Sequence, residues 1–79
     1  MKPDNPFYGK SVAVTGKLDN YTRDSIQARL LELGAKPVSK VSRRTDYLIV
    51  GAKPGSKLDK AQLLGITVLF EREFENMSN

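Results

Sequence analysis

Thr15-Gly16, Arg23, Lys57 and Lys60 are the residues of this 79-residue sequence whose types and spacing best support chemistry, and that chemistry is the binding of an anion. A threonine hydroxyl followed by a glycine amide offers two donors to one oxyanion, because glycine has no side chain to obstruct the approach. Arg23 and Lys57 fall where helices are predicted to begin, and the positive end of a helix dipole disfavours a cation there by about 0.3–1 kcal/mol. Two helices that each open with a cation would jointly favour an anion through free backbone N–H groups and side-chain charge, and a phosphate would fit. Asp24 and Asp59 partly offset the two cations, and the same pattern is met by side chains that simply extend into water.

Other chemistries fare worse. The chain has no Cys and no His, which excludes a disulfide framework, a thiolate nucleophile, the histidine-based triads and the commonest zinc sites. No catalytic residue, metal or cofactor is expected. The segment Gly51-Ala52-Lys53-Pro54-Gly55-Ser56-Lys57 is superficially similar to a nucleotide phosphate loop, but it has three residues between its glycines and its serine precedes its lysine. The phosphate loop requires G-x-x-x-x-G-K-S/T, so nucleotide hydrolysis is not expected. Ser42-Arg43-Arg44 adds charge in a polar stretch that reads either as a solvated loop or as a contact to a DNA backbone.

The elements that must position these residues follow from periodicity. Ser11-Val12-Ala13-Val14-Thr15 is a β-rich run closed by Gly16 and predicts a strand buried on both faces. Thr22 suits the cap of a helix whose Ile26, Leu30 and Leu33 recur on one side, with Ala28 and Leu31 widening the stripe and Gly34 ending it. Lys36-Pro37-Val38 predicts a short edge strand beside the first, because proline cannot donate to a ladder. Tyr47-Leu48-Ile49-Val50, closed by Gly51, is the clearest strand. Ser56-Lys57-Leu58-Asp59 has the capping-box spacing, with Leu58, Ala61 and Leu64 on one side of the second helix and Gly65 at its end. Ile66 to Phe70 predicts a last strand, and Glu71 to Asn76 one or two helical turns with Phe74 inward and an acidic start that suits the helix dipole. Helices joining consecutive strands favour a parallel α/β sheet, whose ligands gather at the carboxyl ends of the strands.

Length allows one core only, and residues 1–9, with two prolines and no periodicity, read as an arm from which Phe7 and Tyr8 tuck against the domain. The domain itself is read as residues 10–76, with 77–79 as a tail. The net charge of +4 is uneven: Lys10 to Lys60 carries 11 basic against 5 acidic residues, whereas Ala61 to Asn79 carries Arg72 against Glu71, Glu73 and Glu75. One part of the surface should therefore attract anions. The longest apolar runs are far too short to span a bilayer and no signal-peptide pattern follows Met1, so the expected setting is cytoplasmic, without a membrane partner.

Val12-Ala13-Val14-Thr15-Gly16-Lys17-Leu18, Thr22-Arg23, Leu33-Gly34-Ala35, Val41 to Gly51, Gly55 to Ala61 and Leu64-Gly65-Ile66 together closely resemble a BRCT domain over roughly residues 9 to 75. The resemblance is strongest to the BRCT modules of bacterial NAD-dependent DNA ligases, of Gram-positive polymerase III epsilon-like exonucleases and of the large subunit of replication factor C. It implies a four-stranded parallel sheet of order 2-1-3-4 flanked by three helices, two on one side and one on the other. In the subgroup that binds 5′-phosphorylated DNA ends, a Thr or Ser and a Gly after the first strand, an Arg opening the first helix and a Lys in the second hold the phosphate. Those positions are Thr15, Gly16, Arg23 and Lys60 here, with Lys57 one turn earlier assisting and Arg43 and Arg44 adding backbone contacts. The sequence departs from the family in having Ala35 where many members have a second glycine, and Phe74 where many eukaryotic members have tryptophan.

The resemblance implies a non-catalytic module of a replication or repair enzyme, foremost a DNA ligase, that binds DNA at 5′-phosphorylated ends or nicks in a nucleoid-associated setting. The alternatives are a module that docks a replication or repair partner or other domains of its parent enzyme, and the BRCT domain of a polymerase III epsilon-like exonuclease. Tandem phosphopeptide reading needs a second repeat, for which 79 residues leave no room.

Overall fold

The computed structural model describes residues 5–78; Met1 to Asp4 of the predicted arm and Asn79 of the predicted tail lie outside the described residues. In chain order the elements are β1 (Ser11–Thr15), α1 (Arg23–Glu32), β2 (Lys36–Val38), β3 (Tyr47–Val50), α2 (Ser56–Leu64), β4 (Thr67–Phe70) and α3 (Glu71–Ser78). The strands form one sheet of order β2-β1-β3-β4, parallel throughout. Pro37 sits on the edge strand β2, opposite Val12, as its missing N–H requires.

Successive strand residues face opposite sides of a sheet, and this alternation sorts the core into two layers. Val12, Ile49 and Leu69 face α1 and α3, where they pack with Phe7, Leu18, Ile26, Leu30, Leu33 and Phe74. Ala13, Leu48 and Val50 face α2 and pack with Val41 and Ala61, flanked by the partly buried Leu58, Leu64 and Val68. Two helices thus cover one face and one covers the other.

Local signals explain where the helices start and stop. Thr22 caps α1 through its side chain, which accepts from the Ser25 N–H, while Ser25 accepts in return from the Thr22 N–H. At the other end the Ala35 N–H bonds to Leu30 O beyond the turn at Gly34, and Ala35 is buried in the core. α2 ends at Gly65 in a left-handed conformation.

Four expectations need correction. Ala28 is exposed and Leu31 is 64% exposed, because α1 turns only the Ile26 and Leu30 side onto the sheet. Ser56 does not cap α2: it is the first helical residue, the cap is Gly55 at φ 70° and ψ −155°, and no side chain bonds to the cap amides. α3 continues two residues past Asn76, with Met77 packed on the core and Ser78 buried, its carbonyl accepting from Arg29 Nη2 at 3.1 Å. Of the two aromatics expected to tuck against the domain, Tyr8 lies over Gly34 but stays 57% exposed, whereas Phe7 bears the expectation out. It is fully buried at the centre of the larger layer, with ring centroids 5.1 Å from Phe74 and 5.2 Å from Tyr47.

Candidate phosphate-binding cleft

The carboxyl end of β1 is held against the end of β3 by a short antiparallel bridge. Gly51 N–H donates to Thr15 O at 2.8 Å, Lys17 N–H to Ala52 O at 2.9 Å, and Ala52 N–H to Lys17 O at 2.8 Å. The approach is so close that a Cβ on Gly16 would lie 2.6 Å from Ala52 O. A trans peptide directs its C=O and N–H to opposite sides. With the Thr15 carbonyl turned to β3, the Gly16 N–H faces the β2 side, where β2 has already ended at Val38, and it has no acceptor among the described residues.

That amide looks into a cleft of about 950 Å³ bounded by Thr15, Gly16, Tyr21, Arg23, Ser39 and Lys57. Arg23 reaches it from the first turn of α1 and Lys57 from the first turn of α2, whose amides lack a side-chain cap. Two cations at the starts of two helices therefore line one space with the Gly16 N–H, an arrangement suited to an oxyanion. Lys17 adds a third cation to the lining, against Asp19. It adjoins Gly16 in sequence, and that adjacency was the available signal.

The expected donors are not all equivalent. The Thr15 hydroxyl donates to Pro54 O at 2.6 Å and the residue is buried, so its proton is committed to the β3–α2 loop. Thr15 holds the mouth of α2 in place, and donating to a ligand would require that bond to break. Replacing Thr15 by valine is expected to cost about 1–3 kcal/mol of stability in urea unfolding, because Pro54 O loses its donor, whereas serine keeps the bond and most of the stability. Lys60 is exposed one turn beyond Lys57 and does not line the cleft; Arg43 lines neither this cleft nor the smaller groove described below, which Arg44 does line.

Glu71 is a residue that the sequence reading assigned only to a helix dipole. Its two carboxylate oxygens accept the Asp19 and Asn20 N–H groups, each at 2.7 Å, and Glu75 Oε1 accepts from Asn20 Nδ2 at 2.8 Å. These bonds pin the β1–α1 loop that forms one wall of the cleft.

Residues 2–77 match the family model described as the BRCA1 C Terminus (BRCT) domain. The chain belongs to the BRCT family. This BRCT domain is 57% identical over 74 residues to a DNA ligase of Clostridium perfringens (strain SM101 / Type A), covering 94% of the chain and 11% of the ligase. It is 55% identical over 73 residues to a DNA ligase of Clostridium botulinum (strain Kyoto / Type A2), covering 92% and 11%. The solved structure "Crystal structure of S.pombe Rad4 BRCT3,4" superposes with a TM-score of 0.77 at 20% identity, covering 96% of this chain and 44% of that one, and it shows the fold. The BRCT domain therefore spans about a tenth of the length of the curated relatives it matches.

Proposed function

We propose that this BRCT domain is a non-catalytic part of a bacterial DNA ligase that binds DNA, with preference for a 5′-phosphorylated end or nick. The observation that carries this reading is the convergence of the Gly16 N–H, Arg23 and Lys57 on one cleft at the carboxyl end of a parallel sheet. A terminal phosphate carries more charge and more free oxygens than an internal one, so donors converging from several directions favour it. The likeness to DNA ligases supplies the class of polymer on which such a phosphate occurs. Lys60, Arg43 and Arg44, outside the cleft, serve as contacts to the remaining backbone, which position the duplex and read no sequence.

The test is anisotropy titration of the 79-residue chain with one recessed duplex bearing either a 5′-phosphate or a 5′-hydroxyl. The phosphorylated duplex binds more tightly, and Arg23→Ala and Lys57→Ala each remove the difference. Log affinity against log salt falls with a slope of about −3, from about three neutralised phosphates at about −0.9 each. Equal binding of the two duplexes, or a flat salt response, contradicts the proposal.

A further inference from the structure

The cleft does not end at Ser39. Pro37, Val38 and Ser39 also line a second groove of about 480 Å³, which continues along the β2 edge past Lys40, Ser42, Arg44 and Thr45. The loop that presents these residues is internally braced. Thr45 is buried, its Oγ1 donates to Lys40 O and accepts from the Ser42 N–H, each at 3.1 Å, and the Arg44 N–H donates to Ser42 Oγ at 3.3 Å. Asp46, the one acid between Ser39 and Lys53, does not line the groove; its Oδ2 accepts the N–H of Ser11, at the far end of the lining, at 2.9 Å, which leaves Lys40 and Arg44 as the charged lining residues. The result is a groove with hydroxyl-bearing walls, a cationic rim and no aromatic side chain in its lining.

We propose that this groove takes the internal phosphates that follow the terminal one on the same DNA strand, so that the strand leaves the cleft along the β2 edge with Lys40 and Arg44 against its backbone. The inference rests on the cleft holding the terminal phosphate. Charge complementarity selects a polyanion, and continuity with the cleft selects the strand already seated there. A lining without aromatic residues offers no stacking platform, so the groove follows sugar and phosphate and leaves the bases unread.

The probes are thymidine 5′-monophosphate and 5′-phosphorylated four-nucleotide strands of thymidine or deoxyadenosine, titrated by NMR against the wild-type chain and a Lys40→Ala/Arg44→Ala double variant. Both substituted side chains are exposed, and the unchanged amide spectrum of the free variant verifies its fold. In the wild type the tetranucleotides bind about tenfold more tightly than the mononucleotide and equally to one another. The double variant loses that gain and binds the mononucleotide as before. A variant that keeps the gain overturns the groove assignment while leaving the cleft reading intact, as does a variant that loses the mononucleotide equally. A wild type that binds neither probe overturns both.

Discussion

Replacing Phe7 by alanine is expected to destabilise the domain by about 3–5 kcal/mol, the usual cost of emptying a fully buried aromatic site. For a chain of this length the whole folding free energy is about 4–12 kcal/mol, so the variant sits near the edge of folding. In thermal unfolding the loss corresponds to a drop in Tm of about 12 °C or more. The size of the effect follows from position: Phe7 is fully buried between Tyr47 on β3 and Phe74 on α3, and Phe74 in turn meets Tyr21 with centroids 6.0 Å apart. If Phe7 were an ornament of a linker, its truncation would change Tm by no more than an exposed substitution such as Leu63→Ala, at a residue that is 87% exposed.

Gly16→Ala is the second large effect, and it joins stability to binding. At φ +81° an alanine is strained by about 1–3 kcal/mol, and its Cβ would meet backbone atoms of Ala52 and Gly51 at 2.6 to 3.0 Å. Backbone cannot step aside as a flexible side chain does, so the β1 and β3 ends must separate and the Gly16 N–H must turn from the cleft. A loss exceeding 3 kcal/mol in urea unfolding, together with loss of DNA binding, is expected. Gly65→Ala isolates the dihedral part, because Gly65 has φ +71° and open space around it, and should cost only about 1 kcal/mol. Equal costs at the two positions would show that the contact between the bridged loops is unimportant.

Much of the fold was legible in the sequence because its signals are local. The four strands, the Thr22 cap, the stops at Gly34 and Gly65 and the inward Phe74 each depend on residues within one or two turns of chain. The same holds for the meeting of Thr15, Gly16, Arg23 and Lys57, since strand ends and helix starts converge once the sheet is parallel. What escaped depends on distant partners. That Phe7 tucks inward is expected from the sequence, but a segment with two prolines and no periodic pattern does not name its neighbours in space, Tyr47 and Phe74. Thr15 gives its proton to a carbonyl 39 residues away, and Glu71 receives amides 51 and 52 residues away.

Ser56 illustrates a different failure. Its S-x-x-D spacing is right, but the loop enters α2 through Gly55 in a conformation that places Ser56 inside the helix. The first turn that results has no side-chain cap, and Lys57 within it lines the cleft. Lys60 and Lys57 lie one turn apart on the same helix, and only burial and lining separate the half-buried Lys57 in the cleft from the exposed Lys60 outside it.

The central claim is that the Gly16 amide and its neighbours hold a terminal phosphate. Its most direct test is the amide resonance of Gly16 in a nitrogen-15 correlation spectrum, followed as a 5′-phosphorylated recessed duplex and its 5′-hydroxyl counterpart are added in turn. A hydrogen bond from this N–H to a phosphate oxygen moves the Gly16 resonance downfield with the phosphorylated duplex and leaves it nearly unmoved with the hydroxyl form. A Gly16 resonance that stays in place with both, or moves equally with both, contradicts the account.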